Sequence, residues 1–310
     1  MYSGHHASER HLAEVAKILG RDSFHEAADE HDAVVHARNA TVLLGHRYLE
    51  QVLPHAEVLQ WVQLSSSGYD HLPWKSLRDR NVTLTRTTLA SVVIAQHAVM
   101  LGFALSRRLN DIIYLQSQRR WGIELIESPP APVRRALVLG FGSIGQQIAR
   151  VLRAAEIEVT AVKRSPLQVP HLQSITVITE DSWRERVHEF DQIYLALPNA
   201  EDTLNMFDAK CVAVLKRSAV VVNVGRAETM DLGAIMDRLR RGELAGAALD
   251  SPPQRQPLPP ESGLWQVPNL IISPYVAARY TDRWVDIERF FEQQLRRWKS
   301  GVALEHEIRW

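Results

Sequence analysis

The most restrictive feature of this sequence is a glycine-spaced turn between two apolar runs. The first run covers residues 136–140, and Gly140, Gly142 and Gly145 then follow at a Gly-x-Gly-x-x-Gly spacing. An amphipathic stretch leads on to a second apolar run that ends at Val162. This order predicts a strand, a tight turn, a helix and a second strand, and only in that context does the glycine spacing indicate a function.

The three glycines at this spacing have separate physical roles. Gly140 permits the tight turn, Gly142 lets the backbone approach a pyrophosphate, and Gly145 lets the helix pack against the strand. Ser143 and Ile144 open the predicted helix, whose first N–H groups and positive dipole end attract phosphate. The turn therefore predicts a dinucleotide-binding site.

Further apolar runs predict a doubly wound parallel sheet around this turn. The predicted strands cover residues 136–140, 157–162, 175–179, 192–197, 219–224, 246–249 and 270–273. Runs as continuously apolar as residues 219–224 are typical of strands that are buried on both faces. Several strands end in polar residues, among them Asn223 and Asp250. Because ligands of such folds bind at the carboxyl ends of the strands, we expect these residues near the site.

Residues 1–90 predict a second, smaller α/β domain. Helical patterns cover residues 11–19 and 48–53, and β-rich runs cover residues 33–36, 41–44, 58–64 and 82–85. No strand can be assigned before His11. A long apolar helix is predicted over residues 91–108, and a long C-terminal helix over residues 278–299.

A loop rich in serine and glycine, residues 65–68, follows the predicted strand 58–64. Free backbone N–H groups gather in loops of this kind and can bind an anion. Taken alone, these residues leave two interpretations open, an anion cradle and an ordinary turn.

The composition argues against several function classes. The 310 residues suffice for two domains and carry a formal net charge of zero, so neither nucleic acid nor a membrane surface is an expected partner. The longest apolar stretch, residues 89–105, is shorter than a membrane span of about 20 residues. The single cysteine, Cys211, cannot form an intrachain disulfide, and the first residues lack the apolar core of a signal peptide. We therefore expect a cytoplasmic protein, and we expect no metal site.

Six motifs along the chain occur in the order of a known family. They cover residues 66–73, 140–145, 195–198, 223–226, 248–250 and 273–275. From about Leu43 to Arg297 the sequence resembles the D-2-hydroxyacid dehydrogenases, and most of all their glyoxylate and hydroxypyruvate reductase branch. The resemblance implies a homodimer of two-domain α/β subunits. A Rossmann-type NAD(P)-binding domain, residues 91–276, would be inserted into a flavodoxin-like substrate domain made from residues 1–90 and 277–310.

The resemblance also implies roles for individual residues. The backbone N–H groups at Ser67, Gly68 and Tyr69 would bind the carboxylate of a small-molecule substrate. Arg226 would hold the carboxylate and polarise the carbonyl oxygen, because a guanidinium fork suits two contacts with a 2-oxo acid. Asp250 would lie at the nicotinamide carboxamide. The other implied cofactor contacts are Gly140, Gly142, Ser143, Ile144, Gly145, Lys163, Arg164, Ser165, Leu197, Pro198, Val224 and Gly225.

The residues after the second strand of the turn indicate which cofactor is bound. An acidic residue commonly stands there and binds the ribose 2′-hydroxyl. This chain instead has Lys163, Arg164 and Ser165. Cations attract the 2′-phosphate that an acid would repel, so the sequence favours NADP(H), with NAD(H) as the alternative.

Two positions depart from the family pattern. Tyr275 stands where the family has its acid/base histidine, and Gln256, or Arg255 by a count without an insertion, aligns with the orienting glutamate. The first interpretation is NADPH-dependent reduction of a small 2-oxo acid such as glyoxylate or hydroxypyruvate, with Tyr275 as the proton donor. A second is a catalytically impaired NAD(P)-binding homologue acting as a sensor or interaction protein, and a third is the same scaffold used on a different substrate. We favour the first because Arg226 and the nucleotide site are kept.

Overall fold

The computed structural model describes residues 2–3, 7–20, 24–70, 72–122, 132–164, 175–179, 181–253 and 257–308. The chain divides into two compact units. Residues 1–90 and 279–310 form the first unit, and residues 91–278 form the second. Each unit has its own parallel sheet and its own apolar clusters.

The strands and helices of the described residues are numbered in chain order. The strands are β1 (Tyr2–Ser3), β2 (Glu26–Ala27), β3 (Val42–Leu44), β4 (Trp61–Gln63), β5 (Thr83–Thr85), β6 (Arg135–Leu139), β7 (Glu158–Val162), β8 (Thr176–Ile178), β9 (Gln192–Leu195), β10 (Val220–Asn223), β11 (Gly246–Leu249) and β12 (Leu270–Ile272). The helices are α1 (Glu9–Leu19), α2 (Glu30–Ala37), α3 (Leu49–Val52), α4 (Trp74–Asp79), α5 (Ser91–Ser106), α6 (Leu109–Ser117), α7 (Ser143–Ala154), α8 (Ala209–Ala213), α9 (Leu232–Arg240) and α10 (Arg283–Lys299).

The first unit is built on a five-stranded parallel sheet in the order β2-β1-β3-β4-β5. Leu43 and Val62 belong to one buried apolar cluster. Their strand neighbours Leu44 and Trp61 belong to another, together with Phe291 of α10. Because successive residues of a strand point to opposite faces, this sheet is covered on both sides.

Two predictions for the first unit are wrong, and the structure assigns a strand that the sequence left open. Residues 33–36 lie in α2, because the Asp29 side chain caps that helix by accepting from the N–H of Asp32 at 2.9 Å, and the cap outweighs the β propensity of the run. A strand does precede His11, since β1 pairs in parallel with both β2 and β3. The C-terminal helix begins at Arg283 rather than at residue 278.

The second unit is built on a seven-stranded parallel sheet in the order β12-β11-β10-β9-β6-β7-β8. All seven predicted strands are confirmed, and so is the α/β fold with a doubly wound parallel sheet. Val220, Val221 and Val222 are fully buried, as a strand covered on both faces requires. The connections change direction at β6, which lies between β7 and β9, so its carboxyl end is a topological switch point where ligands bind.

Helix α5 is the predicted long apolar helix, and it packs on α7, β10 and β11. Ile94, Ala98 and Leu105 are buried, whereas Val92 and Met100 are exposed. Within the described ranges, no single helix has both the length and the apolar character needed to cross a membrane, although α5 and α6 taken together, with a bend of 69° between them, meet both criteria.

Candidate functional site

The glycine turn after β6 leaves open space at one of its three glycines. A Cβ at Gly145 would lie 2.0 Å from the carbonyl oxygen of Gly140, and a Cβ at Gly140 would lie 2.7 Å from that of Ala196. Gly140 also has a φ of +92°, which favours glycine. At Gly142, by contrast, a Cβ would meet nothing within 4 Å. The protein's own packing therefore requires two of the glycines, while the third leaves space that a pyrophosphate could fill.

Helix α7 begins directly at this turn, and its N-terminus is open. Gly142 is the N-cap and supplies no side-chain hydrogen bond to the first turn. Gly142 is exposed, and Ser143 and Ile144 are half-buried. Uncapped first-turn N–H groups and the positive end of the helix dipole together suit a phosphate, so the turn fits the cofactor that the sequence predicts.

The end of β7 carries two cations in different settings. The backbone N–H of Lys163 donates to Ile178 at 2.9 Å, and the Lys163 side chain forms no ion pair with any residue of the described ranges. Arg164 is 85% exposed and pairs with Asp202 at 2.6 Å. An ion pair that is this exposed contributes at most about 1 kcal/mol to stability. Arg164 can therefore exchange Asp202 for another anion. The third predicted contact, Ser165, lies outside the described residues.

The predicted contacts after β9 and β10 lie against each other. A Cβ at Gly225 would lie 2.4 Å from the carbonyl oxygen of Leu197, so only glycine permits this approach. The backbone N–H groups of Val224 and Gly225 both donate to the carbonyl oxygen of Leu195, at 3.0 and 3.1 Å. Thr203 donates its hydroxyl to the carbonyl of Pro198 at 2.7 Å and so holds the neighbouring loop.

Asn223 shapes the turn that presents Arg226. Its side chain is buried, accepts from the N–H of Gly225 at 2.9 Å and donates to the carbonyl of Arg226 at 2.9 Å. Thr229 donates its hydroxyl to the same carbonyl at 2.6 Å. Arg226 itself is half-buried, and its Nη1 donates to Gly225 at 3.1 Å. The supporting role of Asn223 was not predicted, although its place at a strand end is visible in the sequence.

Asp250 accepts several hydrogen bonds at the end of β11. It is 5% exposed. Its Oδ1 accepts from the Ser273 hydroxyl at 2.6 Å and from the backbone N–H groups of Val276 and Ala277 at 3.1 and 3.2 Å. The segment after β12 is thereby fixed to the end of β11.

Tyr275 lies in this fixed segment with an unusual backbone. Its φ is +56°, a left-handed backbone conformation that residues other than glycine rarely adopt. Its N–H donates to the backbone carbonyl oxygens of Asp250 and Ser273 at 3.0 and 2.8 Å, and its side chain is exposed. Strained residues of this kind concentrate at functional sites. The predicted partner Gln256, and Arg255 beside it, lie outside the described residues.

In the first unit, the carbonyl oxygens of the loop 65–68 all accept hydrogen bonds from their own unit. The donors to Ser65, Ser66, Ser67 and Gly68 are, in this order, Arg283, Thr87, Arg86 and the Ser66 hydroxyl, at 2.8, 3.2, 3.4 and 2.9 Å. This leaves the amide side of the loop for other partners.

The backbone N–H groups of this loop are its unused half. From Ser65 to Tyr69, they donate to no acceptor within the ranges that the structure describes, and these residues are all half-buried. The Arg86 guanidinium also lies 5.4 Å from the centre of the Tyr69 ring. Unused N–H groups beside a cation favour the interpretation of this loop as an anion cradle over that of an ordinary turn. Arg86 was not predicted, although it directly follows a strand.

Two titratable groups of the second unit have shifted pKa values. Burial raises the pKa of Asp191, but the Lys216 ammonium and the backbone N–H groups of Arg134 and Arg135 outweigh it and hold that pKa below its usual range. Burial also raises the pKa of the Cys211 thiol. A buried thiol with a raised pKa is a poor nucleophile, so Cys211 acts as a core residue.

One group of side chains in the described part of the chain has metal-ligand spacing. The ligand atoms of His25, Asp32 and His36 lie within 4.8 Å of one another. Both imidazoles contact the Asp32 carboxylate at 2.9 Å, and their rings stack at 3.5 Å with 16° between the planes. A metal ion lies in the plane of each imidazole that binds it, and two nearly parallel stacked planes do not meet at one ion. This arrangement links the start of β2 to α2 without forming a metal site.

Comparisons with known proteins place the chain in one family. Residues 99–277 match the family described as D-isomer specific 2-hydroxyacid dehydrogenase, NAD binding domain. The chain is 25% identical over 244 residues to a glyoxylate reductase from Thermococcus kodakarensis, covering 76% of this chain and 72% of that protein. It is 26% identical over 246 residues to glyoxylate/hydroxypyruvate reductase B from Escherichia fergusonii, covering 77% and 75%.

A solved structure is similar as well. It is that of an NADPH-dependent glyoxylate/hydroxypyruvate reductase from Sinorhizobium meliloti in complex with NADP and sulfate, which is 25% identical with a TM-score of 0.75 over 87% of this chain and 85% of that one. The family match covers more than half of the chain and includes the glycine turn, Arg226, Asp250 and Tyr275. The chain therefore belongs to the D-isomer specific 2-hydroxyacid dehydrogenase family, whose members are NAD(P)-dependent oxidoreductases.

Proposed function

We propose that this protein reduces a small 2-oxo acid, of the glyoxylate or hydroxypyruvate kind, to the 2-hydroxy acid with NADPH. The observation that carries the proposal is the open position at Gly142, at the start of a helix whose first turn has no side-chain cap. Asp250 and Arg226 follow two other strands of the same parallel sheet. Relatives named as glyoxylate reductases support the choice of substrate class.

The preference for NADPH rests on the end of β7. Lys163, with no ion pair in the described ranges, and Arg164, held only by an exposed pair, would attract a 2′-phosphate. Neither side chain offers the carboxylate that would accept from a ribose 2′-hydroxyl. NADP in the similar solved structure is consistent with this choice.

The nicotinamide end would lie near Asp250. A carboxylate accepts from a carboxamide N–H and so orients the ring. When bound, the reduced nicotinamide supplies a hydride to the carbonyl carbon of the substrate. The protein's own contribution is to orient both partners and to deliver a proton.

Each unit carries groups that suit a carboxylate. In the first unit, the unused backbone N–H groups at Ser67, Gly68 and Tyr69 suit a carboxylate, and Arg86 adds positive charge beside them. In the second unit, Arg226 would bind the carboxylate and polarise the carbonyl oxygen. On this basis we propose that the first unit is the substrate domain and the second the cofactor domain.

Tyr275 would donate the proton that the developing alkoxide needs. Its hydroxyl has a reference pKa of about 10, so it is protonated at neutral pH and can donate without prior activation. The same property makes it a poor base, so the site would favour reduction over oxidation. Gln256 would have to take the orienting position of the family glutamate, where it can hydrogen-bond but cannot act as a carboxylate.

The residues at positions 273–275 also favour a second candidate function. Ser-Pro-Tyr replaces a motif that would end in histidine, so a homologue that binds NAD(P) as a sensor or interaction protein, or that acts on a different substrate, also fits. In that case wild-type turnover would be near background, and Tyr275→His together with Gln256→Glu should create it. The single Tyr275→His should do less, because an unoriented imidazole lacks a fixed tautomer.

We further propose a cytoplasmic homodimer. The helix pair α5 and α6 and the segment after it expose large apolar side chains, among them Met100 at 52%, Ile113 at 57%, Tyr114 at 64% and Trp121 at 92%. Exposed apolar groups this numerous are typical of an interaction surface. The molecular mass in solution tests the dimer.

The experiment that tests the proposed function is a titration with NADP, NADPH, NAD and NADH, followed by turnover of glyoxylate and hydroxypyruvate. We expect NADPH to bind most tightly and both acids to be reduced. Binding without turnover would favour the sensor or interaction protein, and binding of none of the four nucleotides would contradict both candidate functions.

A further inference from the structure

Three side chains of the second unit form a continuous hydrogen-bonded chain. His97 Nε2 lies 2.8 Å from Ser273 Oγ, which lies 2.6 Å from Asp250 Oδ1. The three residues come from α5, the end of β12 and the end of β11. Ser273 and Asp250 are each 5% exposed, and the His97 side chain is 19% exposed. Three separate elements therefore converge on one largely buried polar chain.

The hydrogen bonds of this chain have one consistent direction. An ionised carboxylate can only accept, so the single hydroxyl proton of Ser273 is donated to Asp250. The Ser273 oxygen then accepts from His97, which fixes His97 as the tautomer protonated at Nε2. Successive hydrogen bonds polarise one another, so the bond from Ser273 to Asp250 is stronger with His97 in place.

The two oxygens of Asp250 are used unequally. Oδ1 accepts from Ser273 and from the backbone N–H groups of Val276 and Ala277. Oδ2 accepts from none of the residues that the structure describes, and the Asp250 side chain as a whole is 8% exposed. An oxygen left over in this way is an acceptor for a bound donor such as a carboxamide N–H.

We propose that His97 is a positioning residue for cofactor binding. By donating to the Ser273 oxygen, His97 keeps the Ser273 hydroxyl directed at Asp250 Oδ1. Asp250 Oδ2 then remains the acceptor for the nicotinamide carboxamide. This inference rests on the proposed function, and it adds a residue that acts through Ser273 without contacting cofactor or substrate.

The test compares NADPH affinity and thermal unfolding for His97→Leu and His97→Gln. Leucine fills much of the volume but donates nothing, whereas glutamine keeps an N–H donor. We expect His97→Leu to weaken NADPH binding about tenfold, because Asp250 Oδ2 would no longer be aligned for its hydrogen bond with the carboxamide. His97→Gln should retain most of the affinity, and His188→Leu, at an exposed histidine of the same unit, should match the wild type.

A double-mutant cycle shows whether His97 acts through Ser273. The double variant His97→Leu with Ser273→Ala should bind NADPH no more weakly than Ser273→Ala alone. If the two losses add, or if folded His97→Leu binds like the wild type, the proposed role is wrong. A merely structural role would lower the melting temperature of both His97 variants and leave the affinity of the folded proteins unchanged.

The outcomes also separate this inference from the proposed function. A wild-type protein that binds NADPH but leaves glyoxylate unreduced contradicts the reductase activity, while the affinity comparison still decides the role of His97. A wild-type protein that binds no nicotinamide nucleotide overturns both. In an active enzyme, the His97→Leu effect should appear in the KM for NADPH rather than in kcat.

Discussion

Replacing Gly142 with alanine should separate cofactor binding from folding. A Cβ at this position meets nothing within 4 Å, and the backbone, at φ −82° and ψ −160°, is open to any residue. The added methyl group would occupy the open space at the start of α7. Where the proposed pyrophosphate approaches the turn, the methyl group would stand in its way.

Gly142→Ala should affect the free energy of unfolding and the affinity for NADPH by different amounts. Alanine restricts the unfolded chain and so stabilises the fold by about 0.4–1 kcal/mol. The poorer N-cap costs a few tenths to about 1 kcal/mol, so the net change in unfolding free energy stays within about 1 kcal/mol. Losing one charge-assisted hydrogen bond to phosphate costs about 1.5–3 kcal/mol, which weakens NADPH binding by about tenfold to a hundredfold.

Two other glycines of the second unit serve as matched controls in thermal unfolding and NADPH titration. Gly263→Ala also meets nothing within 4 Å, so it should leave NADPH affinity unchanged and alter the free energy of unfolding by no more than about 1 kcal/mol. Gly145→Ala places a Cβ 2.0 Å from the Gly140 carbonyl and should fail to fold stably. If Gly142→Ala binds NADPH as tightly as Gly263→Ala, the phosphates do not approach this turn and the reasoning is refuted.

Three further substitutions test separate parts of the account. Lys163→Asp should shift the preference from NADPH toward NADH in competitive titrations, and an equal loss for both nucleotides would contradict the assignment. Arg226→Ala should weaken oxalate binding measured by calorimetry and leave NADPH affinity nearly intact, whereas an effect on NADPH alone would rule out the carboxylate role. Asp191→Asn should lower the free energy of unfolding by about 1–3 kcal/mol at neutral pH. The wild-type pKa of Asp191 lies below its reference of 3.8, so its stabilisation is complete above that pH and is lost as the pH falls through the lower folded-state value. The difference measured by denaturant unfolding should therefore vanish in acid, and a constant difference would refute the linkage.

The second unit was predictable from sequence because its strands are buried on both faces. An apolar run such as the one that contains Val220, Val221 and Val222 is too short to form a buried helix, and polar residues mark where such runs end. The role of Gly145 also follows from local sequence, since a Cβ there would meet Gly140 and Val138. A Cβ at Gly140 would meet Ala196 and Leu197, which follow the neighbouring strand β9. These features depend on neighbours close in sequence or on one sheet.

What the sequence could not show depends on distant partners or on short elements. His97 and Ser273 are 176 residues apart, and their hydrogen bond comes from the packing of α5 over the sheet. The donors to the serine loop, Arg86 and Arg283, likewise meet it through folding of the first unit. In that unit, residues 33–36 have β propensity, and only the cap at Asp29 reveals the helix.

The reductase assignment is tested most directly by measuring glycolate formation together with NADPH consumption. With glyoxylate as the substrate, the wild type should produce glycolate and NADP in equal amounts. Tyr275→Phe should be slower by about a hundredfold to ten-thousandfold, because it keeps the ring but lacks the phenolic proton. A wild-type protein that binds NADPH yet forms no glycolate above background would contradict the assignment.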